Sequence, residues 1–307
     1  MTCQLSIVNY QFFNDLCREL KIFMLSKLTP FLSILFFLGL FSCENNAGKR
    51  VSAEKALSAF AIKKKPVVKD PLLIELDNLI KDQNLEDAII GYRVMDCTQG
   101  EPFVIAEHNP NHFFIPASTQ KLLTTGAALE IFGTQISRQI FMTNQNSLNW
   151  LANKLLKKVG EEKYQKRDFE CGCRAVTEFW ENKGLDVTGL KLYDGSGLSK
   201  ENSLTPKFLT DVLFYMMTSP YSYIFYNSLP LSGISGTLRH YTTGTSAEGM
   251  IRAKTGTVNG VKSFAGYVNT LSGKKLIFAI IVNNFTCRTK ILKKKLEGVM
   301  VKMAEYD

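Results

Sequence analysis

Histidine is nearly absent, with His108, His112 and His240 the whole supply in 307 residues. That excludes a His-rich metal centre and obliges any proton transfer to run on other bases. Long apolar runs are missing too: Phe31 to Phe41 falls well short of the about 20 residues needed to cross a bilayer. The 7 cysteines show no disulfide framework, and Cys171-Gly172-Cys173 has no nearby His or second pair to complete a zinc site. No internal repeat is apparent, which argues against a solenoid. Lys plus Arg (37) exceeds Asp plus Glu (28), giving net +9. This excess permits nucleic-acid binding, but Lys293-Lys294-Lys295 falls on the polar face of a terminal helix with no aromatic interleaving, so no nucleic-acid partner is expected. Apolar residues at 45% and charged residues at 21% describe a globular chain, long enough for one large domain or two lobes around a cleft.

The N-terminal apolar run has the length of a secretory h-region and follows Lys27. Leu40-Phe41-Ser42-Cys43 resembles a bacterial lipobox, in which Cys43 is lipidated and becomes the mature first residue. Asp15 and Glu19 do not suit an n-region, which favours Met24 as the start. Residues 1–43 are therefore read as a leader, with a buried strand or helix as the alternative. Residues 44–70, polar and carrying Lys63-Lys64-Lys65, are read as a solvated tether to the domain at 71–307. This places the protein as a lipoprotein on the periplasmic side of a bacterial membrane.

Within that domain, Leu72, Leu73, Leu76, Leu79 and Ile80 repeat at helical spacing. Ala88–Met95 and Phe103–Glu107 read as strands joined by a turn at Gln99-Gly100. Helical patterns cover Ser118 to Ile131 and Asn149 to Val159. Strands return around Ala253, at Ser263–Val268 and at Leu276–Val282, the last apolar enough to be covered on both faces. A closing helix repeats Leu292, Leu296, Val299, Met300 and Met303 on one face. The order predicts an α+β fold: an antiparallel sheet built from both termini, helices packed on it, and a helical lobe whose junction with the sheet forms a cleft.

Three short motifs lie along this frame. Ser118-Thr119-Gln120-Lys121 places an amine over a hydroxyl, because residues i and i+3 share a helix face. Pro116 suits the helix start, and the positive end of the helix favours a developing alkoxide on Ser118. The spacing alone is weak, since Ser52-Ala53-Glu54-Lys55 and Ser272-Gly273-Lys274-Lys275 share it. Ser147-Leu148-Asn149 lies where a polar run meets a helix and could be no more than a cap. Lys254-Thr255-Gly256-Thr257, on a predicted strand, could be an edge-strand bend. Their order changes the argument, because S-x-x-K, S-x-N and K-T-G in succession match the serine acyl-enzymes that recognise penicillin.

The flanking residues narrow the likeness. Phe114-Ile115-Pro116-Ala117 before Ser118, Asp194-Gly195-Ser196-Gly197-Leu198-Ser199, Leu229-Pro230-Leu231-Ser232-Gly233, Gly236-Thr237-Leu238 and Arg252-Ala253 before Lys254 resemble the D-alanyl-D-alanine carboxypeptidase/endopeptidase family, peptidase S13. The resemblance spans roughly residues 75–305 and implies a β-lactamase/transpeptidase-like fold needing no cofactor. It implies Ser118 as nucleophile, Lys121 as general base and Ser147 as proton relay. Asn149, Lys254, Thr255, Gly256 and Thr257 would hold substrate, and the backbone N–H groups of Ser118 and Thr257 would hold the oxyanion. Lys254 is expected to lower the Lys121 pKa as a nearby like charge. Asp194 and Ser196 are expected to shape a turn. The implied partners are peptidoglycan stem peptides and β-lactams as covalent inhibitors. The chain departs from the family in having only residues 122–146 between the first two motifs, so the usual inserted domains would be missing between 132 and 138. Two other readings compete: a serine β-lactamase, and a cell-wall-binding lipoprotein that has lost turnover.

Overall fold

The computed structural model describes residues 70–307, and the leader, Cys43 and the tether at 44–69 lie outside the described residues. Pro71–Ile80 forms α1, with Pro71 in its first turn and the Asp70 carboxylate accepting from Leu72 N at 2.7 Å. Strands β1 (Ile89–Asp96) and β2 (Phe103–His108) follow as an antiparallel hairpin. A 3-10 turn at Ala117–Gln120 leads into α2 (Lys121–Phe132). Next come α3 (Ser137–Asn146), α4 (Asn149–Tyr164), α5 (Phe169–Asn182), α6 (Pro206–Thr218) and α7 (Ser222–Ser228). The chain closes with β3 (Ile251–Val258), β4 (Val261–Asn269), β5 (Lys275–Asn283) and α8 (Thr289–Ala304).

The five strands line up as β2-β1-β5-β4-β3, and every neighbouring pair is antiparallel. Strand β5 is therefore central, which explains why every residue from Leu276 to Asn283 is buried. Side chains alternate between faces of a strand. Ile277, Ala279 and Ile281 accordingly pack into the helical lobe. Leu276, Phe278, Ile280 and Val282 pack with α1 and α8 on the opposite face. Each large apolar side chain buried this way contributes about 1.5–3 kcal/mol.

Helix α2 runs through the middle of the lobe, buried from Lys121 to Leu129. It is buried on all sides, so its polar members Lys121, Thr124 and Thr125 find partners inside the lobe. Trp180 of α5 donates its indole N–H to Leu123 O at 3.2 Å. Helices α4 and α5 meet at glycines: a Cβ on Gly160 would lie 2.5 Å from Gly172 N, and one on Gly172 would lie 2.7 Å from Leu156 O. The Cys171-Gly172-Cys173 sequence is thus a close helix crossing. Its two free cysteines, two residues apart on a helix, do not face each other.

Some expectations need correction. Ser118 sits in a 3-10 turn ahead of α2 rather than inside an α-helical first turn. The polar run Thr143 to Asn146 is the end of α3, and Ser147-Leu148 is the link to α4. Neither Ser147 nor Asn149 is the N-cap of α4, which is Leu148 and makes no side-chain bond; Ser147 is instead the left-handed C-cap of α3. At the expected deletion point, Gly133 ends α2 with φ 64°, and a 3-10 turn, Gly133–Ile136, passes straight into α3.

The glycine crossing gives a stability test. Gly160→Ala forces α4 away from α5 and should cost about 1–3 kcal/mol, read as a lower denaturant midpoint. An unchanged midpoint would mean that the two helices can separate freely.

Candidate active site

Two groups of side chains converge where α2, the α3–α4 link and the edge strand β3 meet. The first centres on Lys121, whose side chain is fully buried. Its Nζ lies 2.7 Å from Ser118 Oγ, 2.8 Å from Asn149 Oδ1 and 2.6 Å from Ser196 O. The 3-10 turn eclipses residues i and i+3, which sets the amine directly over the hydroxyl. Burial brings the Lys121 pKa down to about 7, against a smaller upward pull from the Asp194 charge. A neutral amine has two N–H bonds and one lone pair. Carbonyl oxygens of Asn149 and Ser196 accept but cannot donate, so they take the two N–H bonds and leave the lone pair facing Ser118.

The Ser196 carbonyl is held by a rigid loop. Asp194 Oδ1 accepts from the backbone N–H of Ser196 at 2.7 Å and Gly197 at 2.6 Å, and Oδ2 accepts from Ser199 N at 2.7 Å. Burial alone would raise the Asp194 pKa, but the N–H groups of Ser199, Gly197 and Ser196 outweigh it and hold the carboxylate below its ordinary value. Gly195 N donates to Asn153 Oδ1 at 2.9 Å, and Thr124 Oγ1 donates to Gly195 O at 2.9 Å. Asp194 and Ser196 thus shape a turn as expected, while the carbonyl aimed at the amine carried no signal in the sequence.

The second group centres on Lys254, also fully buried. Its Nζ donates to Ser147 Oγ at 2.9 Å and to Thr255 O at 2.8 Å. Ser147 presents its hydroxyl from the left-handed conformation, φ 55° and ψ 40°. Thr255 Oγ1 donates to Thr237 Oγ1 at 2.9 Å. Thr257 is exposed, and its hydroxyl accepts from Lys262. The Lys254 pKa is held well below its ordinary value by burial first, then by the Lys121 and Lys262 amines. Burial is the larger cause on both lysines, and the expected like-charge interaction between Lys121 and Lys254 accompanies it.

Strand β3 presses directly on the Ser118 turn. A Cβ on Gly256 would lie 2.2 Å from Ser263 Oγ and 2.9 Å from both Pro116 O and Ser118 N, so only glycine fits. Ser263 Oγ donates to Pro116 O at 2.6 Å, and Thr119 Oγ1 to the same oxygen at 2.7 Å, which ties the turn to β4. Ser263 is a positioning residue that no motif marked. Ala253 N donates away from the sheet, to Pro230 O at 3.1 Å. Backbone direction alternates along a strand, so Thr257 N–H, four residues on, faces the same open side.

Ala117, the residue before Ser118, has φ 48°, which costs a non-glycine residue about 1–3 kcal/mol. Gly197 backs it: a Cβ there would lie 1.8 Å from Ala117 O. The strained turn and the Asp194 loop are therefore in contact, and both aim at the Ser118–Lys121 pair.

A strained serine turn, a buried lysine and a sheet edge bearing Lys-Thr-Gly define the fold class of penicillin-binding proteins and serine β-lactamases. The chain matches the profile of the D-Ala-D-Ala carboxypeptidase 3 (S13) family over residues 72–140 and 136–305, and it belongs to that family. Among curated relatives, the D-alanyl-D-alanine carboxypeptidase of Actinomadura sp. (strain R39) is 34% identical over 165 residues, 52% of this chain and 30% of that protein. The chain spans about a third of the length of the curated relatives it matches. Among solved structures, a β-lactam complex of penicillin binding protein 4 from Haemophilus influenzae aligns with TM-score 0.63 at 15% identity, covering 74% of this chain and 98% of that one. The TLA-3 extended-spectrum β-lactamase aligns with TM-score 0.60 at 16% identity, covering 76% and 98%. These likenesses establish the fold.

Gly197→Ala tests the contact behind the nucleophile. The added methyl group displaces Ala117 and should slow acylation by fluorescent penicillin about 100-fold in protein whose circular dichroism stays native. Normal labelling of such a variant would show that the Asp194 loop does not set the turn.

Proposed function

We propose that this chain is a serine-type D-Ala-D-Ala carboxypeptidase acting on peptidoglycan stem peptides, with a capacity to cut D-Ala-to-diamino-acid bridges as an endopeptidase. The observation that carries the reading is the buried Lys121 amine within hydrogen-bond distance of Ser118 Oγ, Asn149 Oδ1 and Ser196 O, an arrangement that leaves its lone pair for Ser118 once it is neutral. Ser118 Oγ attacks the carbonyl of the penultimate D-alanine, and its proton passes to Lys121 Nζ. The new C–O bond gives a tetrahedral oxyanion, which collapses to the acyl-enzyme as the peptide C–N bond breaks. Ser147, bonded to Lys254, relays the proton taken up by Lys121 to the leaving amine. Asn149 orients both Lys121 and the substrate backbone. Lys254, Thr255 and Thr257 bind the terminal carboxylate, and Gly256 allows β3 to lie against the nucleophile. Backbone N–H groups of Ser118 and Thr257 take the oxyanion, an arrangement typically worth about 3–4 kcal/mol in the barrier. Water then hydrolyses the ester. Penicillin enters the same sequence and remains as a covalent adduct.

The β-lactamase reading asks for a carboxylate that activates the deacylating water. Asp194, the acid whose charge reaches Lys121, already accepts from backbone N–H groups on both oxygens, which disfavours it for that task. We further infer that the family's inserted domains are absent. The two matched stretches of the profile meet at residues 136–140, and the α2–α3 turn leaves no loop there. Anchoring through a lipidated Cys43, facing the periplasm of a bacterial cell, is inferred from the N-terminal sequence. Fatty-acid labelling of the full chain in a bacterial host, lost in Cys43→Ala, is the expected result. Persistence of the label in the variant would refute the anchor.

Full-length protein should form a covalent adduct with fluorescent penicillin that vanishes in Ser118→Ala and release D-alanine from an acyl-D-Ala-D-Ala peptide. Folded protein that forms no adduct would favour the cell-wall-binding reading, and rapid nitrocefin turnover the β-lactamase. Because Lys121 must be neutral to accept the proton, acylation should be slow at acidic pH, rise as pH passes about 7 and level off above it. A flat profile from pH 5 to 9 would remove Lys121 as the base.

A further inference from the structure

One cation on the site wall has no place in the acyl-transfer scheme. Lys262 lies on β4 directly across from Thr257 of β3. It is only 6% exposed. Its Nζ donates to Thr257 Oγ1 at 2.7 Å and stands 5.5 Å and 5.2 Å from the ring centroids of Tyr241 and Phe264. Among the described residues no Asp or Glu forms an ion pair with it. Glu297, the acid on the facing helix α8, is engaged by Lys293 at 3.8 Å and by Thr242 N at 3.0 Å. Charges almost never stay buried without a partner. A cation held here by two aromatic faces and a hydroxyl therefore lacks its anion.

The hydrogen-bond inventory says where that anion belongs. An ammonium only donates, so Lys262 occupies a lone pair of Thr257 Oγ1 and the hydroxyl proton must point elsewhere. Thr257 is exposed, and its backbone N–H faces the open edge of β3, along which the proposed substrate lies. Lys254, by contrast, is fully buried and already donates to Ser147 and Thr255. Burial and the Lys293 amine bring the Lys262 pKa down to about 8, which still leaves it a cation at neutral pH.

The geometry points to Lys262 as a positioning residue that makes the site select ligands ending in a free carboxylate, supplying the counter-charge and turning the Thr257 hydroxyl proton toward it. This rests on the carboxypeptidase reading above and names a determinant of its specificity that none of the three motifs contains.

The test compares full-length wild type, Lys262→Met and Lys262→Arg on an acyl-D-Ala-D-Ala peptide and on its C-terminal amide. Lys262→Met should raise KM for the carboxylate peptide about tenfold, the worth of one charge-assisted contact, with kcat changed less than about twofold. KM for the amide should stay unchanged, and Lys262→Arg should restore most of the discrimination. The thermal midpoint of Lys262→Met should not fall, because an unpaired buried charge gives way to an apolar chain of similar length. Equal losses on both peptides, or an unaltered KM for the carboxylate peptide, would overturn the assignment while leaving the carboxypeptidase reading intact. Wild-type protein that turns over neither peptide would defeat that reading, and this inference with it.

Discussion

A lysine amine withheld from water and offered three acceptors sets the terms for the rest of the structure. Desolvation alone would make Lys121 neutral without giving its lone pair a direction. Acceptors alone would favour the charged form and leave a poor base. The protein applies both. Helix α2 carries the amine into the lobe, while Asn149 and the Ser196 carbonyl consume its donors. The Asp194 loop keeps that carbonyl in place with backbone N–H groups, and Asn153 and Thr124 secure the loop from α4 and α2. Much of the surrounding structure acts on a single nitrogen.

How much of this could be read in the chain depends on the kind of atom involved. The strands were legible because β5 is buried on both faces and its neighbours are bounded by clear turns, so Leu276–Val282 stands within a residue of the observed Lys275–Asn283. Ser118, Lys121, Ser147 and Lys254 were legible because their motifs succeed one another in the order that the penicillin-recognising serine acyl-enzymes share. The Ser196 carbonyl was not, since a backbone oxygen has no letter of its own and only the fold aims it. Ser263 and Lys262 were hidden for a different reason. Their importance comes from strand register, opposite Gly256 and Thr257, and the motifs contain only one side of that pairing. Helices α5, α6 and α7 went unmarked, although Cys173, Val176 and Trp180 of α5 repeat on one buried face at helical spacing.

The lowered Lys121 pKa has the same character. Two lysines in two motifs suggest mutual repulsion, and the repulsion is there, but burial is the larger cause on both. The larger cause is enclosure, a property of the folded lobe that charge counting along a chain does not register. The strained Ala117 belongs with it: an alanine with φ 48° looks ordinary in sequence and gains meaning only from Gly197 behind it.

The central place of β5 also governs when the protein can form during synthesis. Ile89 pairs with Asn283, and β4 and β3 reach β1 only through that late strand. While the ribosome still holds the C-terminal segment, the β1–β2 hairpin has an open edge and Ser118 lacks the wall that backs it. Completion of the sheet must therefore wait for release of nearly the whole chain, and the nascent protein presents an unpaired strand edge for most of its translation.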